Sequence, residues 1–232
     1  MQTQPFDEET RGLLRKVIEG QAYRQLMLAN IRGHGIKFVP EVEGKLEVVH
    51  ALDGALRQFR EVERLYFTLG FGDVVSAVRG KMERIPYPST RLELAMCLFL
   101  CERVSWHALG AYAESVSRDI AAIALTRLED PPPPELPLDR AFVEFSSEET
   151  NRPLAQQLFN RWLGVTLLSL GRPGSPGDAR AVALRLRDRP VAKIVREYLA
   201  GLEPFMHACH LSMPDLAAIG VEVPAMSKSA GR

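Results

Sequence analysis

Two glutamates, Glu19 and Glu102, lie among apolar residues at helical spacing and are the best candidates for metal-binding side chains. Glu19 follows Ile18, and Glu102 follows Cys101. In a four-helix bundle with a di-iron centre, two helices each contribute one inward-facing glutamate, and each of the other two contributes a Glu-x-x-His motif. The three-residue spacing puts that Glu and His on one helix face, where they give iron mixed oxygen and nitrogen ligands.

The second helix lacks this motif at the level where the first helix carries Glu19. We expect the first two helices to form an antiparallel hairpin that turns near Phe38, so that position 57 is level with Glu19. The motif would then fall on residues 55–58, which read Ala-Leu-Arg-Gln. Ala55 has no ligand atom and Gln58 offers only a neutral amide.

The fourth long helix lacks the motif altogether. The sequence contains no histidine between His107 and His207, and Glu148-x-x-Asn151 is the nearest imitation. Two carboxylates without nitrogen donors and their supporting partners bind iron poorly. We therefore predict that Glu19 and Glu102 are vestigial metal ligands and that the protein has no metal cofactor.

Other candidate ligands have simpler structural interpretations. A literal Glu-x-x-His, from Glu47 to His50, lies nearer the hairpin turn, opposite Leu26, and we expect a surface pair. Cys97 and Cys101 are four residues apart and share a helix face. Because buried cysteine behaves as a small hydrophobic residue, we expect packing rather than thiol chemistry.

Apolar residues recur every three or four positions between glycine and proline breakers, which predicts an all-α protein. We expect a four-helix bundle with additional short C-terminal helices, in one domain over residues 1–216, and a flexible tail at 217–232. The prolines at 131–134 predict an extended connector. The predicted helices are 8–36, 41–70, 73–82, 91–127, 138 or 147 to 170, 178–187 and 190–210.

Composition narrows the class of protein. The chain has 232 residues, and Lys plus Arg equals Asp plus Glu at 29 each. This neutral balance argues against nucleic-acid binding, and the arginines between Arg180 and Arg189 are expected to form a solvated helix face. No apolar run approaches the roughly 20 residues that span a bilayer. With three cysteines and no apolar export signal, we expect a cytoplasmic, reduced protein without membrane contact.

Several segments resemble a known family. Residues Ala155–Trp162 (AQQLFNRW), followed by Leu170–Ser175 (LGRPGS), are similar to the phenylacetic acid catabolism family of ferritin-like proteins, which includes the subunits of phenylacetyl-CoA epoxidase. Residues Leu184–Arg189 and Met213–Leu216 resemble the C-terminal part of that family, and Phe59–Gly70 resembles the residues after its first Glu-x-x-His. The likeness covers most of the chain from position 13 to 216.

The resemblance implies a ferritin-like fold whose active members bind two irons and oxidise a substrate with oxygen. Glu19 and Glu102 match its single-carboxylate positions, whereas Ala55 and Gln58 stand where a Glu and a His belong. The family also contains a non-catalytic subunit that lost its metal ligands. We therefore expect a scaffold or accessory subunit, a homodimer or a hetero-oligomer with a ferritin-like homologue.

Two alternatives stay open. One is a diverged oxygenase or oxidase that uses iron or a vacated bundle centre, with a pocket lined by Glu19, Gln58 and Glu102. The other is a module that holds an acyl or aromatic ligand without reaction. For the scaffold, Phe67 and the two other aromatic residues near the second helix, Phe71 and Tyr87, are candidate anchors.

Overall fold

The computed structural model describes residues 6–129 and 137–217, and these residues form helices without any strand. The all-α prediction is therefore confirmed. Short 3-10 helices at Ile36–Phe38 and Glu149–Asn151 precede the second and the seventh α-helix. The α-helices are α1 (Glu8–Gly35), α2 (Val42–Thr68), α3 (Val74–Met82), α4 (Arg91–Gly110), α5 (Arg118–Leu128), α6 (Pro137–Ser147), α7 (Arg152–Ser169), α8 (Pro176–Ala183) and α9 (Val191–Ala208).

Two of the sequence predictions concern regions that the structure does not describe. The proline connector at 131–134 lies outside the described residues. The predicted tail at 217–232 also lies outside them, apart from Ala217. In the parts of the chain that are described, no helix combines the length and the apolar character needed to cross a bilayer.

Helix α4 is the central element, as its apolar sequence predicts. Every residue from Glu93 to Glu102 is buried, and the helix packs against α1, α5, α6, α7 and α9. A helix that is apolar on nearly all sides must be enclosed by other helices. The largest buried side chain that packs around it is Trp162 of α7, while a second apolar cluster between α1, α2 and α5 contains Leu14 and Tyr66.

Helices α1 and α2 form the predicted antiparallel hairpin, but its register differs from the prediction. Arg11 donates to the carbonyl of Leu69 at 2.5 Å, and Arg32 donates to that of Ala51 at 2.8 Å. These contacts put Glu19 level with residues near 62, not 57. The extra 3-10 turn after α1 and the extended residues before α2 move the centre of the hairpin beyond Phe38.

The predicted helix from Arg91 to about Arg127 is wrong, because it is two helices separated by residues 111–117. The backbone of this segment bonds to another loop instead of continuing the helix. The carbonyl of Ala111 accepts from the N–H of Asp188 at 2.9 Å, and the N–H of Val116 donates to the carbonyl of Arg185 at 2.9 Å. Since backbone polar groups in the interior must be paired, these tertiary bonds compensate for the break.

For the fourth predicted helix, the earlier of the two starts, 138, is wrong because the segment is two helices, α6 and α7, whereas the later start, 147, lies five residues before α7. The chain leaves the α-helical conformation after Ser147 and resumes it at Arg152, with Pro153 in the first turn of α7. Proline fits there because the first helical N–H groups have no intrahelical partner. The side chain of Asn151 donates to the carbonyl of Phe145 at 3.0 Å and holds the corner.

The arginines between 180 and 189 do not form a solvated helix face. Helix α8 ends at Ala183, so only Arg180 of the four lies on a helix. Arg187 is buried and forms an ion pair with Asp178, while Arg189 pairs with Glu197 at 2.9 Å. The prediction is wrong because the ion pairs of Arg187 and Arg189 stabilise a loop between α8 and α9.

We predict that Gly35→Ala destabilises the protein by about 1–3 kcal/mol, the usual cost of overpacking. A Cβ atom at Gly35 would lie 2.3 Å from Cδ1 of Leu94, which is fully buried on α4. Urea unfolding measures the change. Gly33→Ala, two residues earlier in the same helix and with no atom within 4 Å of its Cβ, is the control and should stabilise by about 0.5–1 kcal/mol. Equal effects of the two changes would contradict the packing argument.

Candidate functional site

Glu102 lies on α4 and faces an arginine rather than a second metal ligand. Its carboxylate accepts from Nη2 of Arg32 on α1 at 2.5 Å, and both side chains are less than one tenth exposed. Arg32 also donates through Nη1 to the carbonyl of Ala51 on α2. The guanidinium thus joins three helices and neutralises the carboxylate in the interior.

Glu19, the other candidate ligand, is half-buried at the far end of the same hairpin. Its carboxylate accepts from Nε of Arg15 at 2.9 Å and from the hydroxyl of Tyr66 at 2.8 Å. Burial, together with the hydrogen bond to Glu19, raises the pKa of Tyr66. The hydroxyl therefore stays protonated and acts as a donor.

The structure does not bring Glu19 and Glu102 together. Arg32, which binds Glu102, follows Glu19 by 13 residues on α1, a rise of roughly 20 Å. Gln58 lies elsewhere again, beside a cavity whose lining includes neither glutamate. The three residues Glu19, Gln58 and Glu102 therefore do not form the expected common pocket. Glu19 and Glu102 lie at different levels along α1, and Gln58 lies beside a separate cavity.

The cavity beside Gln58 lies between α1, α2, α4 and α5 and has a volume of about 230 Å³. Gln21 of α1 lines it and is 3% exposed, and neither atom of its amide has a hydrogen-bond partner among the described residues. A buried amide of this kind favours a small polar group that both donates and accepts. The sequence signal was Gln21 and Gln25, two polar residues at i and i+4 on the apolar face of α1.

The remaining sequence candidates are not assembled into a metal site. Glu47 and His50 are both exposed on α2. Cys97 and Cys101 are fully buried with their sulfurs 4.0 Å apart, and burial raises the pKa of the Cys97 thiol well above its ordinary value. Within the described ranges, no group of three or more His, Cys, Asp and Glu side chains could hold a metal ion.

The most extensively bonded buried carboxylate, Glu93, was missed by the sequence analysis. It accepts from the backbone N–H and hydroxyl of Ser89 at 2.8 and 2.7 Å, from the indole N–H of Trp162 and from Arg161. Burial alone would raise the pKa of Glu93, but these donors and the arginine charge lower it. The sequence clue was Thr90-x-x-Glu93, the pattern of a helix N-terminus, in which Thr90 caps α4.

A line of exposed apolar residues runs along α2, and we call it the α2 seam. It consists of Val42, Leu46, Val49, Leu56 and Phe67, whose exposures range from 43% to 75%. The spacing continues through three charged residues, so that the full line alternates steps of four and three: 42, 46, 49, 53, 56, 60, 63 and 67.

Of the three aromatic anchors proposed from sequence, only Phe67 belongs to the α2 seam. Phe71 is half-buried against Tyr66, with ring centres 5.2 Å apart. Tyr87 is exposed beside His34, with ring centres 4.8 Å apart.

No protein-family model matches the chain, and the search of curated proteins found no match. The likeness to the phenylacetic acid catabolism family is therefore still a prediction from the quoted segments.

We predict that Glu102→Leu destabilises the protein by about 3–5 kcal/mol, because it leaves the Arg32 charge buried and unpaired. The double change Arg32→Met with Glu102→Leu should restore stability to the wild-type value or above it, since an apolar pair of similar volume avoids the desolvation cost. Urea unfolding of both variants measures this.

The matched control is the exposed pair of Arg180 and Glu9. Glu9→Leu should leave stability nearly unchanged, because exposed ion pairs contribute little. If Glu102→Leu were no more harmful than Glu9→Leu, the buried pair would not have the role assigned to it.

Proposed function

We propose that this protein is a metal-free, ferritin-like helical bundle that acts by assembly, as a scaffold or accessory subunit. One observation carries the proposal: five exposed apolar residues, interrupted by three charged ones, follow one line of α2, a helix that packs mainly against α1. Large exposed apolar side chains gathered on one face of a folded chain point to an interaction site. We propose a second copy of the chain as its occupant.

The spacing of the α2 seam fits helix-on-helix packing. Alternating steps of four and three residues are the repeat by which two helices interdigitate along a shared line. At 27 residues, α2 is roughly 40 Å long, which gives a partner helix room for several layers of contacts. Phe67 is 75% exposed near one end of the line and offers the largest apolar anchor.

The charges on α2 favour an antiparallel pair of copies. Residues 42–54 carry three acidic side chains and one lysine, whereas residues 55–68 carry three arginines and two glutamates. An antiparallel pair sets the acidic half of one copy against the more basic half of the other. A parallel pair would set two acidic halves side by side, at an electrostatic cost. A two-fold axis perpendicular to α2 gives this antiparallel arrangement, and two-fold symmetry is the commonest symmetry of homodimers.

The surroundings of the two candidate ligands support the metal-free part of the proposal. Arg32 supplies the positive charge that a metal would otherwise bring to Glu102, and Arg15 does the same for Glu19. A diverged oxygenase needs carboxylates that converge on one place, and here they lie at different levels of α1. The diverged oxygenase is therefore less well supported than the metal-free scaffold.

We predict that the wild-type protein is a dimer at micromolar concentration and that Leu46→Asp weakens the dimer at least tenfold. The aspartate would be buried without a partner, once in each copy. Sedimentation equilibrium measures the dissociation constant.

Leu168→Asp on α7 is the matched control, because Leu168 is 65% exposed and Leu46 is 59% exposed. It should leave the dimer intact. A monomeric wild-type protein, or equal weakening by both variants, would contradict assembly through the α2 seam.

A separate prediction concerns iron. Protein produced in iron-rich medium, or incubated with ferrous iron without oxygen and then desalted, should contain far less than one iron per chain by plasma mass spectrometry. About two irons per chain, the content of an intact centre of this type, would contradict the metal-free proposal while leaving the dimer test unaffected.

A further inference from the structure

A basic cleft of about 440 Å³ opens beside α1, between the end of α7 and the start of α8. Five basic side chains line it, and Asp178 is the one acidic residue in that lining. This is a strong local imbalance in a chain whose acidic and basic residues are equal in number. The five basic residues are Lys16, Arg24, Lys81, Arg172 and Arg187.

The single acid in the cleft is already fully used. The carboxylate of Asp178 pairs with Arg187 and accepts from the N–H groups of Gly174 at 2.9 Å and Val191 at 3.0 Å. It therefore neutralises Arg187 and fixes the loop, but it leaves the other four charges uncompensated. Lys16, Lys81 and Arg172 form no ion pair within the described part of the chain.

Arg24 is the most unusual member of the cleft, because its guanidinium is buried without a counter-charge. The residue is 4% exposed, and Nη1 donates to the carbonyl of Ser169, the last residue of α7, at 3.0 Å. Nε has no partner among the described residues. Burial lowers the pKa of Arg24, the neighbouring charge of Arg187 lowers it further, and Arg24 forms no ion pair with a carboxylate among the described residues.

The end of α7 compensates only part of this charge. The carbonyls at a helix C-terminus act as roughly half a negative charge, whereas a buried guanidinium needs a full counter-charge to offset its desolvation. Gly20 lies against the guanidinium, since a Cβ there would be in ordinary contact with Nη1 of Arg24 at 3.7 Å, and both residues line the cleft. The buried cation is therefore positioned to receive an anion from the cleft.

We propose that this cleft binds a small phosphate-bearing anion, with Arg24 as the buried contact and Lys16, Lys81 and Arg172 at the rim. Guanidinium groups match phosphate oxygens with paired hydrogen bonds, and lysines add charge without fixed geometry. The start of α8, whose Ser175 and Gly177 also line the cleft, adds the positive end of a helix dipole. The volume exceeds that of one phosphate, which favours a phosphorylated metabolite or a lipid headgroup.

Titration calorimetry with inorganic pyrophosphate tests the proposal on the full chain. The wild type should bind one pyrophosphate per chain, and the double variant Lys16→Gln with Arg172→Gln should bind at least tenfold more weakly. The control, Lys37→Gln with Arg196→Gln, removes the same charge from exposed residues outside the cleft and should bind as the wild type does. The proposal is overturned if the wild type shows no saturable pyrophosphate binding, or if the control weakens that binding as much as the first double variant does, and the vesicle assay below is also negative.

The variant Arg24→Met separates a binding role from a structural one. Removing a buried charge that lacks a counter-charge should not lower the melting temperature in buffer without phosphate. The rise in melting temperature that pyrophosphate gives the wild type should be lost. A variant that melts lower yet keeps the full pyrophosphate response would show that Arg24 only holds α7, and would overturn its assignment. If Arg24→Met does not fold, the double variant Lys16→Gln with Arg172→Gln, called the rim variant, still tests whether the cleft binds pyrophosphate.

Co-sedimentation distinguishes the two sources of phosphate. Binding to phosphatidylglycerol vesicles but not to pyrophosphate, lost in the rim variant and kept in its control, would assign the cleft to a lipid headgroup. Pyrophosphate binding without vesicle binding would assign it to a free phosphorylated molecule. If the protein binds neither pyrophosphate nor the vesicles, the proposal is overturned. None of these variants touches the α2 seam, so the outcome is independent of the dimer test.

Discussion

The buried ion pair between Arg32 and Glu102 is the interaction around which the first three long helices are arranged. Two charges withdrawn from water must be compensated by each other and by hydrogen bonds within the protein. Arg32 donates to Glu102 on α4 and to the carbonyl of Ala51 on α2, while its Nε has no partner among the described residues. Because these partners must lie within hydrogen-bond reach, the pair sets the register between α1, α2 and α4.

This requirement explains why α4 tolerates two acidic residues in a fully buried stretch. Glu93 and Glu102 stand at opposite ends of the run that is buried on all sides, and each is matched by donors from a different helix. Trp162 and Arg161 attach α7 to one end, while Arg32 attaches α1 to the other. Apolar packing supplies most of the driving force, and these polar contacts select one arrangement among the many that apolar surfaces alone would permit.

The sequence predicted the helices well where a local signal determines them, and poorly where tertiary contacts do. Asp7 and Thr90 cap α1 and α4 through side-chain bonds that neighbouring residues encode. The break after Gly110 depends instead on backbone bonds to the distant loop at 185–188, for which no local pattern exists. The predicted pocket failed for a related reason, because a shift of about five residues in the α1–α2 register moves each side chain to another level.

Charge distribution accounts for the sites that sequence reasoning overlooked. The net charge of the chain is zero, but its charges are not evenly paired. Carboxylates pair with Arg32, Arg161 and Arg187, whereas Arg24 has no carboxylate partner among the described residues. Only three-dimensional placement reveals which cation lacks a partner, since all four arginines look alike in the sequence. The same fold that neutralises its candidate metal ligands with arginine thus leaves one arginine in need of an anion. If the centre of the bundle is structural, as we propose, function belongs to its surfaces, and the α2 seam and the basic cleft are two places among the described residues where the fold leaves a physical demand unmet.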